Sequence, residues 1–261
     1  MGPVTGRTGS TVDVGGIPFQ VTTLEEGIET VLTHARDPGS GIAIRLTNAY
    51  CVALADKDRR YKALLTGRGI NFPDGAPVVW AMNTNSSSRV RAARVRGPSL
   101  FLSVLERGRS VGIRHFFLGA TPETLDLLIQ RLSSSYPGIV IAGTHAPDFR
   151  DFSELDLDKF ARIVVEAEAD IVWVGLGSPK QDFIAQGLAD RAPVCAAGVG
   201  AAFDFAAGTK LEAPTAMQKA GLEWLFRLWA EPRRLWRRYL FGNLRFILVA
   251  ARDAWKTQGN R

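Results

Sequence analysis

Histidine and cysteine are scarce in this chain, with three and two copies among 261 residues. Cys51 and Cys195 each sit among apolar neighbours without metal-ligand spacing, which predicts buried free thiols in a reducing compartment. His34, His115 and His145 are too scattered to make a ligand set. No stretch reaches the roughly 18–20 uninterrupted apolar residues of a membrane-spanning helix. The nearest, Ala192–Gly208, is broken by Pro193, Asp204 and its glycines. The N-terminus has no charged segment followed by an apolar run, so no signal peptide is predicted. A Gly-x-Ser-x-Gly elbow is missing, which argues against a serine hydrolase. Neither a Walker A loop nor the third glycine of a dinucleotide fingerprint is present, and there is no internal repeat.

Hydrophobic residues make up 46% and charged residues 22%, values of a soluble globular protein long enough for one large domain and an appendage. The net charge of +6 is unevenly placed. From Ala213 onward ten Lys or Arg face three acids, and four of the six tryptophans lie there (Trp224, Trp229, Trp236, Trp255). The basic character thus belongs to one end, which implies an anionic partner there.

The central stretch runs from Ile171 to Phe183. Ile171-Val-Trp-Val reads as a strand buried on both faces. Gly175 and Gly177 turn the chain, Ser178 suits a helix N-cap and Pro179 a first helical position. A strand, a glycine turn and a helix start is where open α/β sheets bind ligands. Free N–H groups at a helix start attract phosphate, and Lys180 adds a full charge. A tight turn with no ligand fits the same residues.

Other strands are predicted at Val12–Val21 (a strand or hairpin), Ile42–Thr47, Ile70–Phe72, His115–Leu118, Ile139–Ala142 and Pro193–Ala196. Helices are predicted from Thr22/Thr23 to Ala35, over Ala49–Leu65, from Pro77, over Arg94–Leu105, from Thr121 to Tyr136 and over Asp158–Ala167. The alternation predicts an α/β fold, a Rossmann-like, mainly parallel sheet flanked by helices. Residues 1–11 read as a disordered N-terminus, 12–212 as the α/β domain and 213–261 as a C-terminal basic amphipathic helical appendage. In that appendage apolar pairs recur at Trp224/Leu225, Leu228/Trp229, Leu235/Trp236 and Tyr239/Leu240, interrupted by Pro232. Two basic, Trp-rich helices suit an anionic membrane surface. A helix pair packed on the sheet with a solvated basic face is the alternative. No nucleic-acid motif accompanies the charge, so nucleic acid is not an expected partner.

Few titratable groups fall at strand ends. Asn48 follows the first core strand, Asp74 lies in Pro-Asp-Gly, and Gln181 is on the helix after the glycine turn. Were these edges adjacent, one carboxylate and two amides would face one crevice. A carboxylate beside a sugar acceptor serves as general base, and amides hold sugar hydroxyls without adding charge. Pro-Asp-Gly is also an ordinary turn sequence. Two Asp-x-Asp pairs, Asp56/Asp58 and Asp156/Asp158, invite a metal reading, but their settings read as solvated carboxylates and a helix cap.

An ordered set of short motifs spans the chain. It includes Thr47-Asn48-Ala49, Asp74-Gly75, Arg94-Val-Arg-Gly97, Phe117-Leu-Gly119 and Tyr136-Pro137. Val174-Gly-Leu-Gly-Ser-Pro-Lys-Gln181, Gly198-Val-Gly-Ala-Ala-Phe-Asp204, Ala207-Gly208 and Ala213-Pro214 follow. The last are Gly221-Leu-Glu-Trp-Leu-Phe-Arg227 and Glu231-Pro-Arg-Arg234 through Arg238-Tyr239. Over roughly residues 12–240 this set resembles the WecG/TagA/CpsF glycosyltransferases, glycosyltransferase family 26. The resemblance implies metal-independent, inverting transfer of a sugar from a UDP donor to a polyprenyl-diphosphate-linked acceptor. The sugar would be of N-acetylmannosamine, mannosaminuronate or glucose type. The setting would be the cytoplasmic face of the cell membrane, with the enzyme peripheral to it and building cell-wall or surface polysaccharide. No cofactor or metal is expected beyond the UDP-sugar co-substrate.

On matching positions Asp74 would be the base, with Asn48 and Gln181 beside the reacting sugars. Thr47, Gly175, Gly177, Pro179, Lys180 and Asp204 would bind the donor. Arg227, Arg234 and Arg237 would meet the acceptor diphosphate, a task suited to bidentate guanidinium groups. The family often has Glu where this chain has Asp182, Arg where it has Glu212, and Asp where it has Ser99. Those departures leave the donor sugar open, and the oligomeric state, a homo-oligomer included, is open as well. The competing readings are a non-catalytic membrane-docking α/β module and a nucleotide-cofactor oxidoreductase.

Overall fold

The computed structural model describes residues 9–37, 39, 41–85, 91–148 and 153–259. Most of the predicted disordered N-terminus, residues 1–8, lies outside the described residues. A short antiparallel hairpin opens the fold, β1 (Thr11–Val14) and β2 (Ile17–Gln20), turning through Gly15 and Gly16, both at positive φ. Helix α1 (Leu24–Arg36) starts with a capping box in which Thr23 and Glu26 each satisfy the other's backbone N–H. Strand β3 (Ile42–Thr47) leads to α2 (Ala49–Ala55) and α3 (Arg59–Thr66), then β4 (Ile70–Pro73), α4 (Ala76–Asn85) and α5 (Gly97–Gly108). The single helix predicted over Ala49–Leu65 is therefore two. Helix α2 stops at Ala55, and Asp58 caps α3 through hydrogen bonds from the N–H groups of Arg60 and Tyr61.

The second half comprises β5 (Arg114–Gly119), α6 (Pro122–Ser135), β6 (Val140–His145), α7 (Glu154–Glu166), β7 (Ile171–Gly175), α8 (Lys180–Ala189), β8 (Cys195–Gly198) and α9 (Ala202–Ala207). Three helices close the described chain: α10 (Thr215–Lys219), α11 (Glu223–Ala230) and α12 (Pro232–Gly259). Pro232 begins α12 rather than merely interrupting a helical pattern, because its missing N–H is harmless in a first turn.

The six strands β3–β8 form one parallel sheet in the order β4-β3-β8-β7-β5-β6. Helices cover both faces, as the predicted α/β class requires. Side chains alternate between the faces with period two. Phe117, Ile171 and Trp173 join Phe101 and Phe203 on one side, while Phe116, Leu118, Val172 and Val174 join Ile184 and Leu188 on the other. Phe101 meets Trp173 edge-on with centroids 5.0 Å apart, the geometry favoured by ring quadrupoles. His115 is buried here and accepts a hydrogen bond at Nδ1 from Trp173 Nε1 at 3.2 Å. Burial pushes its pKa down to about 4, so it is a neutral core residue. Both cysteines are buried and neither is in a disulfide.

A third cluster gathers Val14, Ile17 and Phe19 of the hairpin with Val52, Tyr61 and, from α12, Phe246 and Val249. The long terminal helix is thereby packed against the α/β body along one side. Arg245 pairs with Asp56 at 2.7 Å, and Asp253 accepts from the Gly15 N–H.

Candidate active site

From β3 the chain steps outward to β4 at one edge, and from β5 outward to β6 at the other, with β7 and β8 between. The carboxyl ends of these strands open into a cavity of about 700 Å³, the place where parallel sheets bind ligands. Five of the six strand ends contribute to it, and the end of β6 does not. Asn48 and Asp74 follow β3 and β4, Ala120 and Thr121 follow β5, Gly175 and Gly177 come from the β7 turn, and Gly200 and Ala201 follow β8.

Asp74 is held by its backbone. Its N–H donates to the Thr47 carbonyl at 3.1 Å, and the next chain segment is tied in by Val95 N–H to the Pro73 carbonyl at 2.9 Å. The surrounding protein encloses Asp74 while part of its surface stays open to the cavity. Burial, and then the Glu223 charge, raise its pKa to about 6, against the opposing pull of Arg94, Arg227 and Arg96. A carboxyl so tuned is poised near neutrality, as a general base should be.

Asn48 caps α2, its Oδ1 accepting from Tyr50 N–H at 3.1 Å and Cys51 N–H at 3.3 Å. Gln181 is buried and wedged between two glycine turns. Its Oε1 accepts from Gly177 N–H at 3.0 Å and Gly200 N–H at 2.8 Å, while its Nε2 lies 3.4 Å from Ser178 Oγ. The two amides thus shape the turns as well as lining the cavity. Around them Gly175 leaves no room for a Cβ, which would come within 2.5 Å of the Phe203 ring. Helix α8 begins at Lys180 with Pro179 as its N-cap residue, one position later than the predicted Ser178 cap, and the Ser178–Pro179 peptide is cis.

Asn48, Asp74, Gln181, Gly175, Gly177, Asp204 and Arg227 all line the cavity. Thr47, Pro179 and Lys180 do not: Thr47 is buried beneath the floor and Lys180 is exposed. Asp204 sits in the first turn of α9 with Lys210 Nζ 3.0 Å from its Oδ2. Arg237 is exposed on α12, its guanidinium 5.2 Å from the Trp236 ring centre, and is outside the lining. The Arg234 side chain lies outside the described residues.

Several wall residues carried no individual role in the sequence. Arg94, Arg96, Lys210, Glu223 and Trp224 all face the cavity. The Arg94-Val-Arg-Gly97 motif pointed at the first two, but only the fold shows them in one cavity with Asp74. The Asp-x-Asp pairs serve the scaffold. Asp58 caps α3, Asp56 pairs with Arg245, Asp156 completes a capping box with Ser153, and Asp158 pairs with Arg191 at 2.7 Å. Among the described residues no group of three or more His, Cys, Asp or Glu is placed to hold a metal ion.

The model of the glycosyl transferase WecG/TagA/CpsF family matches residues 12–260. The chain belongs to this family. Its curated relatives include the N-acetylglucosaminyldiphosphoundecaprenol N-acetyl-beta-D-mannosaminyltransferases of Bacillus subtilis and Bacillus spizizenii. Each is 30% identical over 231 residues, covering 88% of this chain and 87% of the relative. The three departures from the family pattern can now be placed. Asp182 is buried away from the cavity wall and accepts from the Tyr61 hydroxyl at 2.6 Å, with burial raising its carboxyl pKa. The other two meet at one group: Ser99 Oγ lies 3.4 Å from Arg96 Nη1, and Glu212 is ion-paired with Arg96.

Proposed function

We propose that this glycosyltransferase moves a sugar from a UDP donor to a polyprenyl-diphosphate-linked acceptor sugar, with inversion and without a metal ion. The observation that carries the reading is one cavity bringing Asp74, Asn48, Gln181 and Arg227 together at the carboxyl edge of a parallel sheet. In this scheme Asp74 takes the proton of the acceptor hydroxyl. The freed oxygen attacks the anomeric carbon from the face opposite UDP, the new glycosidic bond forms, and the bond to the β-phosphate oxygen breaks. Negative charge grows on the departing diphosphate, and guanidinium groups facing the cavity stabilise it. The glycine turns at Gly175–Gly177 and Gly198–Gly200 let the donor approach the backbone closely. Asp204 serves the donor, and Thr47 acts through the carbonyl that fixes Asp74. Pro179 and Lys180 belong to the donor-binding turn, and Arg234 and Arg237 serve the acceptor diphosphate.

Helix α12 supports delivery of the acceptor at a membrane. Leu235, Phe246 and Val249 are buried against the protein. Leu240, Leu244, Ile247 and Leu248, at helical spacing on the opposite side, are each more than half exposed. A contiguous apolar stripe flanked by arginines fits the boundary between headgroups and acyl chains. No helix among the described residues is long and apolar enough to cross a membrane, so the fit is to a peripheral, in-plane helix. The relatives' names specify N-acetylglucosaminyl-diphosphoundecaprenol as acceptor and N-acetylmannosamine as the transferred sugar. The same pair is the first to test here.

The deciding experiment offers a panel of UDP-sugars with a synthetic polyprenyl-diphosphate N-acetylglucosamine, with and without EDTA. Acceptor-dependent UDP release that persists in EDTA is expected. Vesicle binding with no turnover of any donor overturns the catalytic reading in favour of a docking module.

A further inference from the structure

The segment that carries Arg227 has little apolar anchorage: no residue of α11 is buried. What holds it is a polar contact. Arg96, at the N-cap position of α5, has a side chain only 7% exposed. It donates in a fork to Glu223, Nε to Oε2 at 2.9 Å and Nη2 to Oε1 at 3.0 Å. Glu212 is ion-paired with the same guanidinium, and Arg94 lies 3.8 Å from Glu223. Glu212 precedes α10 and Glu223 opens α11, so one cation fastens both ends of the intervening segment. Glu223 and Arg227 are four residues apart on α11, which puts them on one helix face, and both line the cavity with Asp74.

We propose that Arg96 anchors the 212–223 segment across the cavity, and that Glu223, clamped on it, is a positioning residue that keeps its own carboxylate and the Arg227 face of α11 beside Asp74. Bidentate guanidinium–carboxylate pairs fix orientation as well as distance, which is what a helix without buried side chains needs. The consequence for Asp74 follows from charge. Glu223 adds to the effect of burial in favouring the protonated form, while Arg94, Arg227 and Arg96 favour the carboxylate. Removing the Glu223 charge takes away a repulsion and leaves Arg94 and Arg96, which are not on the released helix, to favour the carboxylate, so Asp74 should release its proton at lower pH. Glu212 is not among the charges that shift Asp74, so its removal should loosen the segment without moving that titration.

The proposal rests on the reading of Asp74 as base, and its test is independent of turnover. Aspartate carboxyl carbons are labelled with 13C in the full chain, the Asp74 signal is identified by its loss in Asp74→Asn, and pH titrations are compared. In Glu223→Gln the Asp74 midpoint is expected to fall by about one pH unit. Glu212→Gln should leave it in place, and Glu223→Asp, which keeps the charge, should hold it near the parent value. Amide hydrogen exchange across 212–231 should quicken in both Gln variants. An unmoved Asp74 midpoint in Glu223→Gln, or unchanged exchange in both Gln variants, overturns the proposal. If Asp74→Asn retains full activity while the midpoint still falls in Glu223→Gln, the base assignment fails and the positioning role stands.

Discussion

The N–H of Asp74 donates to the carbonyl of Thr47 at 3.1 Å, so the carboxyl ends of β4 and β3 are locked side by side. These two strands are paired in register along Ile44–Thr47 and Ile70–Pro73. The residue that follows each of them, Asn48 and Asp74, therefore enters the cavity from adjacent edges. A carboxylate enclosed by protein and a cap-bound amide end up on one wall although 26 positions separate them in the chain.

Asp74→Asn is expected to lower UDP release by about 10²–10⁴-fold, the usual worth of a general base. In the parent protein activity should fall as pH drops through about 6, because the base must be deprotonated and its pKa is raised to that value. Rate against pH, with the parent and the variant side by side, checks both statements.

The same residue makes a prediction about stability with a definite sign. A carboxyl whose folded pKa is raised costs stability when ionised: the cost appears as pH climbs from the model-peptide value of 3.8 and is complete above about 6. Asp74→Asn should thus melt at a higher temperature than the parent at pH 7.5, and the difference should vanish near pH 4. A lower melting temperature for the variant at pH 7.5 would contradict the burial argument.

Gln181→Leu removes the acceptor shared by the N–H groups of Gly177 and Gly200. A fully buried donor left unpaired costs about 1–3 kcal/mol, an upper bound for these half-buried, cavity-lining glycines, and the two glycine turns lose their common tie. Reduced stability together with weakened donor binding is expected, measured by denaturant unfolding and by calorimetry with UDP. Gln181→Glu keeps an acceptor and should retain more of both.

Gly175→Ala would force a methyl against Phe203, itself packed on Phe101 and Phe117 with centroids 5.6 and 5.8 Å away. Overpacking of this kind costs about 1–3 kcal/mol. Because Gly175 and Phe203 both line the cavity, the relief of that clash should also deform it. A lower denaturation midpoint and a raised KM for donor are the expected results.

Much of this molecule follows from the order of its residues alone. Period-two and period-3.6 apolar patterns, cap residues such as Thr23 and Thr121, and glycine turns after strands specify a layered α/β body, because each element must bury one stripe or face. The basic, Trp-rich end and the motif series through Asp74, Gln181 and Arg227 also stand in the sequence. Local signals fail where a long-range partner decides. Nothing near Asp58 in the chain separates one helix from two until its carboxylate is seen capping α3, and nothing around Gln181 tells that its amide bridges two turns from different strands. Strand order is likewise invisible to periodicity, since β8 is inserted between β3 and β7 by pairing across the sheet. Tertiary structure alone sets Arg96 against Glu212 and Glu223, leaves Thr47 beneath the floor, and turns one side of α12 inward and the other outward. Those outcomes depend on distances between residues far apart in the chain, and spacing along the chain does not encode them.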